Sequence, residues 1–248
     1  MSPSAIPKSS GAAFKIIHKI LQMGWVDMPE QFQGSGAPGD TLEHLLDVTR
    51  NNKDGPDLMD WEIKFHGGNS LLTLLHKTPQ PAGVMNELVN TFGWPNEKGQ
   101  ISFRHTISGK SERGFIVINA DNRITVENIN NRKIVPYWEH NVILNTIGAK
   151  LRRLILVHGT VNKAERKVKY ESAHAYWDLD LLGICQAFED GIIYIDFDAR
   201  TKGGKGSALR DHGTKFRIHI DNIGVIYENT QVILPADESN VKRSSKKS

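Results

Sequence analysis

Cysteine and long hydrophobic runs are the two features that this sequence most clearly lacks. Cys185 is the single cysteine among 248 residues, so the chain cannot form an intramolecular disulfide. Its apolar, helix-like surroundings predict a buried thiol rather than a reactive one. No run approaches the roughly 18 apolar residues of a membrane span, and residues 1–7 lack the hydrophobic core of a signal peptide. We therefore expect a cytoplasmic protein without a membrane segment.

Two common site motifs are also missing. The ten histidines and one cysteine form no cluster with the spacing of a zinc site. No Gly-x₄-Gly-Lys-Ser/Thr motif of the kind that binds nucleotide phosphates is present. A zinc-stabilised fold and an NTP-driven enzyme are therefore unsupported, and the sequence has no internal repeat.

What the chain does have is the composition of a globular protein with an uneven charge distribution. A hydrophobic content of 39% over 248 residues suits one large domain or two lobes sharing a core. The formal net charge is only +3, but residues 200–217 contain six lysines and arginines against one aspartate. This local excess of positive charge predicts a basic loop that can contact nucleic acid.

The most informative stretch is Gly-Pro-Asp-Leu-Met-Asp-Trp-Glu-Ile-Lys at residues 55–64. Residues 58–65 alternate between apolar and charged, which predicts a half-buried strand with Glu62 and Lys64 on one face. The points where these two side chains leave the backbone would be about 7 Å apart. The Gly-Pro turn can bring Asp57 back toward Glu62. Two carboxylates, the backbone carbonyl of Ile63 and several waters would suit Mg²⁺. The alternative from the pattern alone is an ordinary strand with a solvated face.

Flanking segments predict further elements. Phe14, Ile17 and Leu21 line one side of a helix that ends at Gly24, and a glycine-rich loop follows at residues 34–39. Asp40 then looks like the N-cap of a second helix, with Glu43 at the capping-box position.

More strands are predicted downstream. Residues 70–77 should pair beside the strand of Glu62, and residues 101–129 should form antiparallel strands. Strands at 151–160, 168–177, 192–197 and 214–220 surround a helix capped by Asp178. Residues 231–248 are expected to be a disordered tail.

Four blocks of the sequence together resemble the MvaI/BcnI-type group of Type II restriction endonucleases, distant relatives of the mismatch-repair nicking enzyme MutH. The blocks are residues 39–46, 55–64, 70–79 and 211–218. The resemblance implies an α/β (α+β) fold with a PD-(D/E)XK restriction-endonuclease-like core, a mixed central sheet flanked by helices, and two lobes around a DNA cleft. It places a mainly catalytic lobe at about 12–105 and a mainly DNA-recognition lobe at about 106–230.

The resemblance also implies residue roles. Asp57 and Glu62 would be metal ligands, Lys64 the catalytic lysine, and Glu43 an additional acid from the preceding helix, although Glu43 also fits a purely structural capping box. One or two Mg²⁺ ions would activate a water for in-line attack on the scissile phosphorus, leaving a 5′-phosphate and a 3′-hydroxyl.

DNA contacts are expected mainly from the last of the four blocks. Arg217 is the leading candidate for reading guanine, because a guanidinium can bind its O6 and N7 together. Asp211 could accept a hydrogen bond from cytosine N4. The remaining candidates for base or phosphate contacts, each with the alternative of being an ordinary surface charge, are His212, Arg210, Lys215, Asp196, Arg200, Lys202, Lys205, His76 and Lys77.

We therefore predict a Mg²⁺-dependent Type II restriction endonuclease that cuts double-stranded DNA at a short G·C-rich site of the CC-N-GG kind. It should act as a monomer, with a cognate DNA methyltransferase as its genetic partner. Two alternatives stay open from the sequence. One is a MutH-like strand-nicking repair enzyme, and the other is a non-catalytic DNA-binding protein whose acids are merely solvated.

Overall fold

A computed structural model describes residues 10–46, 58, 60–68 and 70–233, and the chain divides into two compact units. Unit 1 comprises Met1–Gly68, Ala149–Asp178 and Tyr227–Ser248, and unit 2 comprises Asn69–Gly148 and Leu179–Ile226. Each unit is assembled from separate segments of the chain. The architecture is mixed α+β, as the sequence predicts. The functional assignment of the lobes at about 12–105 and 106–230 stays a prediction.

The helices and strands are numbered along the chain. The α-helices are α1 (Ser10–Leu21), α2 (Ala37–Leu45), α3 (Val84–Phe92), α4 (His140–Leu151) and α5 (Leu181–Glu189). The strands are β1 (Trp25–Asp27), β2 (Glu62–His66), β3 (Leu72–His76), β4 (Trp94–Pro95), β5 (Ile101–Ile107), β6 (Phe115–Ala120), β7 (Arg123–Asn128), β8 (Tyr137–Glu139), β9 (Arg153–Asn162), β10 (Lys167–Leu179), β11 (Ile193–Thr201), β12 (Leu209–Asp211), β13 (Lys215–Ile218) and β14 (Tyr227–Ile233). Two 3₁₀ helices are described, Gly34–Gly36 and Ile220–Ile226.

The sheet of unit 1 runs in the order β1-β10-β9-β2, and β14 also pairs with β10. β9 and β10 form a long antiparallel pair, whereas β2 pairs with β9 in parallel. The register of that parallel pair sets Glu62 opposite Leu154 and His66 opposite His158. The sheet is therefore mixed, as predicted, and it fixes which residues stand beside Glu62.

One face of this sheet carries the hydrophobic core of unit 1. Ile63 of β2 and Ile155 of β9 are buried there together with Ile17 of α1 and Leu42 of α2. Helix α1 forms where the sequence predicts, because its apolar residues recur at helical spacing, and the chain leaves it through Gly24 at a positive φ of 70°. Since successive strand residues alternate, Glu62 and Lys64 lie on the opposite face of the sheet from this core.

Helix α2 begins earlier than predicted. Its N-cap is Gly36, and Pro38 stands in the first turn, where a missing backbone N–H costs nothing. Asp40 therefore lies inside the helix, and the prediction that it caps the helix is wrong. Glu43 consequently does not occupy the N3 position of a capping box, and the capping-box interpretation of that acid is wrong.

The main sheet of unit 2 runs in the order β3-β13-β11-β5-β4, with β12 added beside β11. The prediction that residues 70–77 pair beside the strand of Glu62 is wrong, since β3 pairs with β13 in a different sheet and β2 pairs with β9. A further sheet, β6-β7-β8, contains the predicted antiparallel hairpin. Asp121 and Asn122 form its turn with positive φ angles of 52° and 59°.

Two further boundaries and two helices differ from the sequence-based expectation. Helix α5 is capped by Asp180, whose side chain accepts from the Gly183 N–H at 2.9 Å, because β10 continues through Asp178 to Leu179. Helices α3 and α4 were not predicted. Strand β14 extends to Ile233, so the expected tail cannot begin at residue 231, and residues 234–248 lie outside the described residues.

Cys185 is buried on α5, as predicted, and burial raises the pKa of its thiol. Among the described residues, no helix is both long and apolar enough to cross a membrane.

The packing of α1 gives a test of the unit 1 core. Ile17 is fully buried, whereas Lys15 on the same helix is exposed. We expect Ile17→Ala to lower the free energy of unfolding by about 2–5 kcal/mol, because it removes buried methyl groups and leaves a cavity. Lys15→Ala should change it by less than about 0.5 kcal/mol. Urea denaturation at constant m-value measures both, and equal effects would contradict the assigned packing.

Candidate active site

Glu62 and Lys64 come together on one face of β2, as their spacing predicts. The Lys64 Nζ lies 3.0 Å from the Glu62 Oε1. The Glu62 side chain is only 3% exposed and that of Lys64 is 19% exposed. A carboxylate so far removed from water requires a compensating positive charge. The alternative of an ordinary solvated strand face is therefore wrong for Glu62.

A second lysine, which the sequence reasoning did not select, reaches the same carboxylate. The Lys150 Nζ lies 3.6 Å from the Glu62 Oε1. Lys150 belongs to the last turn of α4 and is separated from Glu62 by almost ninety positions in the sequence. No local pattern could have connected the two residues. Two ammonium groups thus face one buried carboxylate oxygen.

Tyr227 of β14 fixes the end of α4 beside this cluster. Its hydroxyl donates a hydrogen bond of 2.7 Å to the backbone carbonyl of Leu151, the last residue of the helix. Burial, together with the negative charge of Glu62, holds the pKa of Tyr227 well above its usual range. The hydroxyl therefore remains protonated and keeps its role as a donor.

Imidazole rings continue the polar face along β2, β9 and β10. The ring of His66 lies 6.4 Å from that of His158, which lies 5.6 Å from that of His174. At the start of the same strands, Asp60 forms an ion pair with Arg153. Asp60 therefore holds the start of β2 beside β9, which is a structural role.

The other predicted residues of the cleavage site are placed as follows. Asp57 lies outside the described residues. Glu43 is partly exposed on α2, and α2 packs against β2. The Ile63 side chain is buried in the core, while its backbone lies between Glu62 and Lys64 in β2. Their roles in binding a metal stay predictions.

Glu62 is the buried carboxylate that the described part of the chain offers to a hard cation. No group of three or more His, Cys, Asp or Glu among them is arranged to hold a metal ion. Mg²⁺ does not need such a group, because it keeps several waters and is commonly held by one or two carboxylates. The buried carboxylate of Glu62 fits that requirement, and its anionic oxygens are of the kind that Mg²⁺ prefers.

A second polar surface lies on the main sheet of unit 2. Strand β11 alternates strictly between buried and partly exposed residues, so Asp196 and Asp198 point away from the core together. Asp196 Oδ1 accepts from the Thr106 hydroxyl at 2.8 Å, and its Oδ2 lies 3.3 Å from an Arg217 Nη. The other Arg217 Nη donates to the Leu71 carbonyl at 2.9 Å. The guanidinium of Arg217 is thus held in one orientation.

Asp198 organises the cations next to it. Its two carboxylate oxygens lie 2.9 Å from the Arg104 Nε and 3.5 Å from the Lys215 Nζ. Sequence reasoning did not select Asp198 or Arg104. The alternation of β11 from Asp196 could have indicated Asp198, but Arg104 comes from β5, whose pairing with β11 is not visible in the sequence.

The remaining predicted DNA-contacting residues also lie in unit 2. Arg200 stands opposite Arg210 in the β11–β12 register, an arrangement of like charges that favours a bound anion. Asp211 accepts from the Gly213 N–H at 2.8 Å and so shapes the turn that follows. His212, Lys202 and Lys205 are exposed. His76 and Lys77 line an open pocket together with Thr78, Gln80 and Gly213.

With this geometry established, comparison with known proteins decides the family. The profile of the MvaI/BcnI restriction endonuclease family matches residues 14–227. The chain belongs to the MvaI/BcnI restriction endonuclease family. It is therefore a Type II restriction endonuclease, that is, a site-specific deoxyribonuclease, and the resemblance predicted from the four sequence blocks is confirmed.

Two solved structures extend the comparison for this MvaI/BcnI family member. The restriction endonuclease MvaI–cognate DNA substrate complex is 26% identical, with a TM-score of 0.77, and the match covers 93% of this chain and 100% of that one. The restriction endonuclease MvaI in the absence of DNA is 25% identical, with a TM-score of 0.57 and coverage of 94% and 100%. No curated protein sequence matches the chain.

The hydrogen bond of Tyr227 can be tested in this family member by its effect on stability. Tyr227→Phe leaves the Leu151 carbonyl without its hydroxyl donor, and we expect the free energy of unfolding to fall by about 1–3 kcal/mol. Tyr176→Phe is the matched control, because Tyr176 is also buried and its hydroxyl has no hydrogen bond among the described residues. If both variants unfold at the same urea concentration, the hydrogen bond does not hold α4.

Proposed function

We propose that this endonuclease is Mg²⁺-dependent and cuts both strands of DNA at a short G·C-rich site of the CC-N-GG kind. It would leave 5′-phosphate and 3′-hydroxyl ends, act as a monomer and have a cognate DNA methyltransferase as its genetic partner. The observation that carries the cleavage proposal is the buried Glu62 carboxylate with the Lys64 ammonium 3.0 Å away. Phosphodiester hydrolysis would use such an anion to hold the metal ion and such a cation to stabilise negative charge on the phosphate.

Glu62 would hold the Mg²⁺, with Asp57, the Ile63 carbonyl and Glu43 as further candidate ligands. When bound, Mg²⁺ lowers the pKa of a coordinated water and offsets negative charge on the phosphate oxygens.

Lys64 supplies the chemistry that comes from the chain itself. Its ammonium donates hydrogen bonds to the attacking water and stabilises the negative charge that develops on the phosphate oxygens. Because the side chain is largely shielded from solvent, its charge is screened less than a surface charge would be. The short contact with Glu62 also restrains the ammonium before substrate arrives.

Arg217 would give the specificity for G·C pairs. A guanidinium carries five N–H donors, and Asp196 and Leu71 engage one N–H of each terminal nitrogen. The hydrogens that are left can donate together to guanine O6 and N7 in the major groove. The carboxylates of unit 2 could accept from cytosine N4. Arg200, Arg210, Lys202 and Lys205 would bind phosphates, which adds affinity without sequence information.

The proposed division of labour follows the two compact units. Glu43, Glu62, Ile63 and Lys64 belong to unit 1, whereas every candidate DNA-reading residue from His76 to Arg217 belongs to unit 2. Cleavage would therefore depend on unit 1 and site choice on unit 2.

Cleavage of plasmid DNA tests the proposed activity. In Mg²⁺ we expect discrete linear fragments whose mapped ends share one short G·C-rich sequence, and EDTA should abolish cutting. Lys64→Ala should bind DNA within a few-fold of the unchanged enzyme and lose cleavage by at least about 10²-fold, because a stabilising charge is removed from the transition state. Mapped ends, gel-shift affinity and single-turnover rates are the measurements.

Two other outcomes of that experiment would contradict parts of the proposal. Nicked circles without linear products would favour a MutH-like strand-nicking enzyme. Full cleavage by Lys64→Ala would overturn the role assigned to the lysine.

Arg217 gives a separate test of sequence recognition. Arg217→Lys keeps the positive charge but loses the planar guanidinium. We therefore expect the free-energy difference between specific and non-specific binding to fall by about 1–3 kcal/mol at a guanine position. The salt dependence of binding should hardly change. Arg217→Ala should lose specific binding while the cleavage site stays intact. Arg132→Ala is the control, because Arg132 is an exposed arginine of the same unit. An unchanged specificity ratio for Arg217→Lys would contradict base reading.

A further inference from the structure

The position of Lys150 points to a role beyond balancing the charge of Glu62. Lys64 is already 3.0 Å from the Glu62 Oε1, and one ammonium neutralises one carboxylate. Lys150 approaches the same oxygen at 3.6 Å. Two like charges directed at one oxygen repel each other, so the second must be held there by the fold.

The fold holds Lys150 through the end of α4. Lys150 precedes Leu151, which is fully buried and whose carbonyl accepts the Tyr227 hydroxyl at 2.7 Å. Backbone and core contacts therefore set where the lysine stem begins. The Lys150 side chain is 38% exposed, twice the value for Lys64. Of the two ammonium groups, it is the one with more access to a molecule arriving from solvent.

We propose that Lys150 is a second catalytic lysine, whose ammonium contacts a non-bridging oxygen of the scissile phosphate. This inference rests on the proposed metal-dependent cleavage at Glu62. A cation held by Glu62 would compete with both lysines for its carboxylate, and the DNA phosphate would offer them another anion to contact. Lys64 serves the attacking water, and Lys150 stabilises the charge that grows on the phosphate oxygen.

A purely structural role would give a different pattern of effects. A lysine in the last turn of a helix also interacts favourably with the carbonyl end of the helix dipole. If that were its whole function, replacing it would lower stability slightly and leave metal affinity unchanged.

The experiment compares Lys150→Met with Lys167→Met. Lys167 is a matched control, because its side chain is also 38% exposed and its ammonium lies 3.7 Å from Glu165, an exposed acid. We expect Lys150→Met to lower the single-turnover cleavage rate at saturating enzyme by about 10²-fold. DNA affinity with Ca²⁺ in place of Mg²⁺ should change by less than about threefold. Lys150→Arg should recover part of the rate, and Lys167→Met should cleave normally.

A second readout does not depend on cleavage. Mn²⁺ binding to the DNA-free protein, followed by electron paramagnetic resonance, should become about tenfold tighter in Lys150→Met, because a positive charge beside Glu62 is removed. Lys167→Met should bind Mn²⁺ like the unchanged protein. A rate within about threefold of normal for Lys150→Met would overturn the proposal. So would a rate loss that follows loss of folded protein and leaves Mn²⁺ affinity unchanged.

Failure of the underlying function is recognised separately. If the unchanged enzyme does not cut DNA in Mg²⁺, the proposed function fails and the role of Lys150 fails with it. If the unchanged enzyme cuts and Lys150→Met cuts equally well, only the role of Lys150 is overturned.

Discussion

The buried carboxylate of Glu62 is the group on which the polar face of unit 1 depends. Removing a carboxylate from water is unfavourable by several kcal/mol unless cations and hydrogen bonds compensate for it. Lys64 and Lys150 supply the positive charge, and the negative charge in turn helps to keep Tyr227 protonated. The parallel pairing of β2 with β9 holds the carboxylate at this position. The lysines thus replace the charge that a bound cation would provide.

Unit 2 uses acids in the opposite way, to orient cations. Asp196 and Asp198 lie on one face of β11, and their partners Arg217, Lys215 and Arg104 come from the two neighbouring strands. Long basic side chains lose conformational entropy when they bind a ligand, and this loss is smaller if they are already restrained. A surface of paired charges also carries less net positive charge than its lysines and arginines alone. On the proposed assignment, such a surface would be better suited to selecting a sequence than to binding any DNA.

The sequence predicted those parts of the site that depend on local spacing. Alternation along β2 is sufficient to place Glu62 and Lys64 on one face. It does not indicate that Glu62 is buried, because Lys150 and Tyr227 come from distant parts of the chain. Nor does it show that β2 and β3 belong to different sheets. Their partners, β9 and β13, are distant in the sequence and are set by tertiary pairing.

The predicted starts of two helices, α2 and α5, were wrong for more local reasons. Asp40 has the chemistry of an N-cap, but Pro38 allowed α2 to begin a turn earlier. Asp178 failed as a cap because the preceding strand continues past it, and Asp180 took that role. The buried residues of α4, Ile143, Ile147 and Leu151, do recur at helical spacing. That helix was therefore visible in the sequence in principle, although the strand-rich segments on either side obscured it.

The interleaving of the two units sets the order in which the protein is completed during translation. The chain passes between the units after Gly68, Gly148, Asp178 and Ile226, so the last segment of unit 2 is synthesised before β14. Strand β14 then adds to β10 and brings Tyr227 to the end of α4. On the proposed assignment, a nascent chain acquires its DNA-reading residues before its cleaving unit is complete. A chain that ends at Ile226 would lack both this strand and the hydrogen bond that Tyr227 makes to the end of α4.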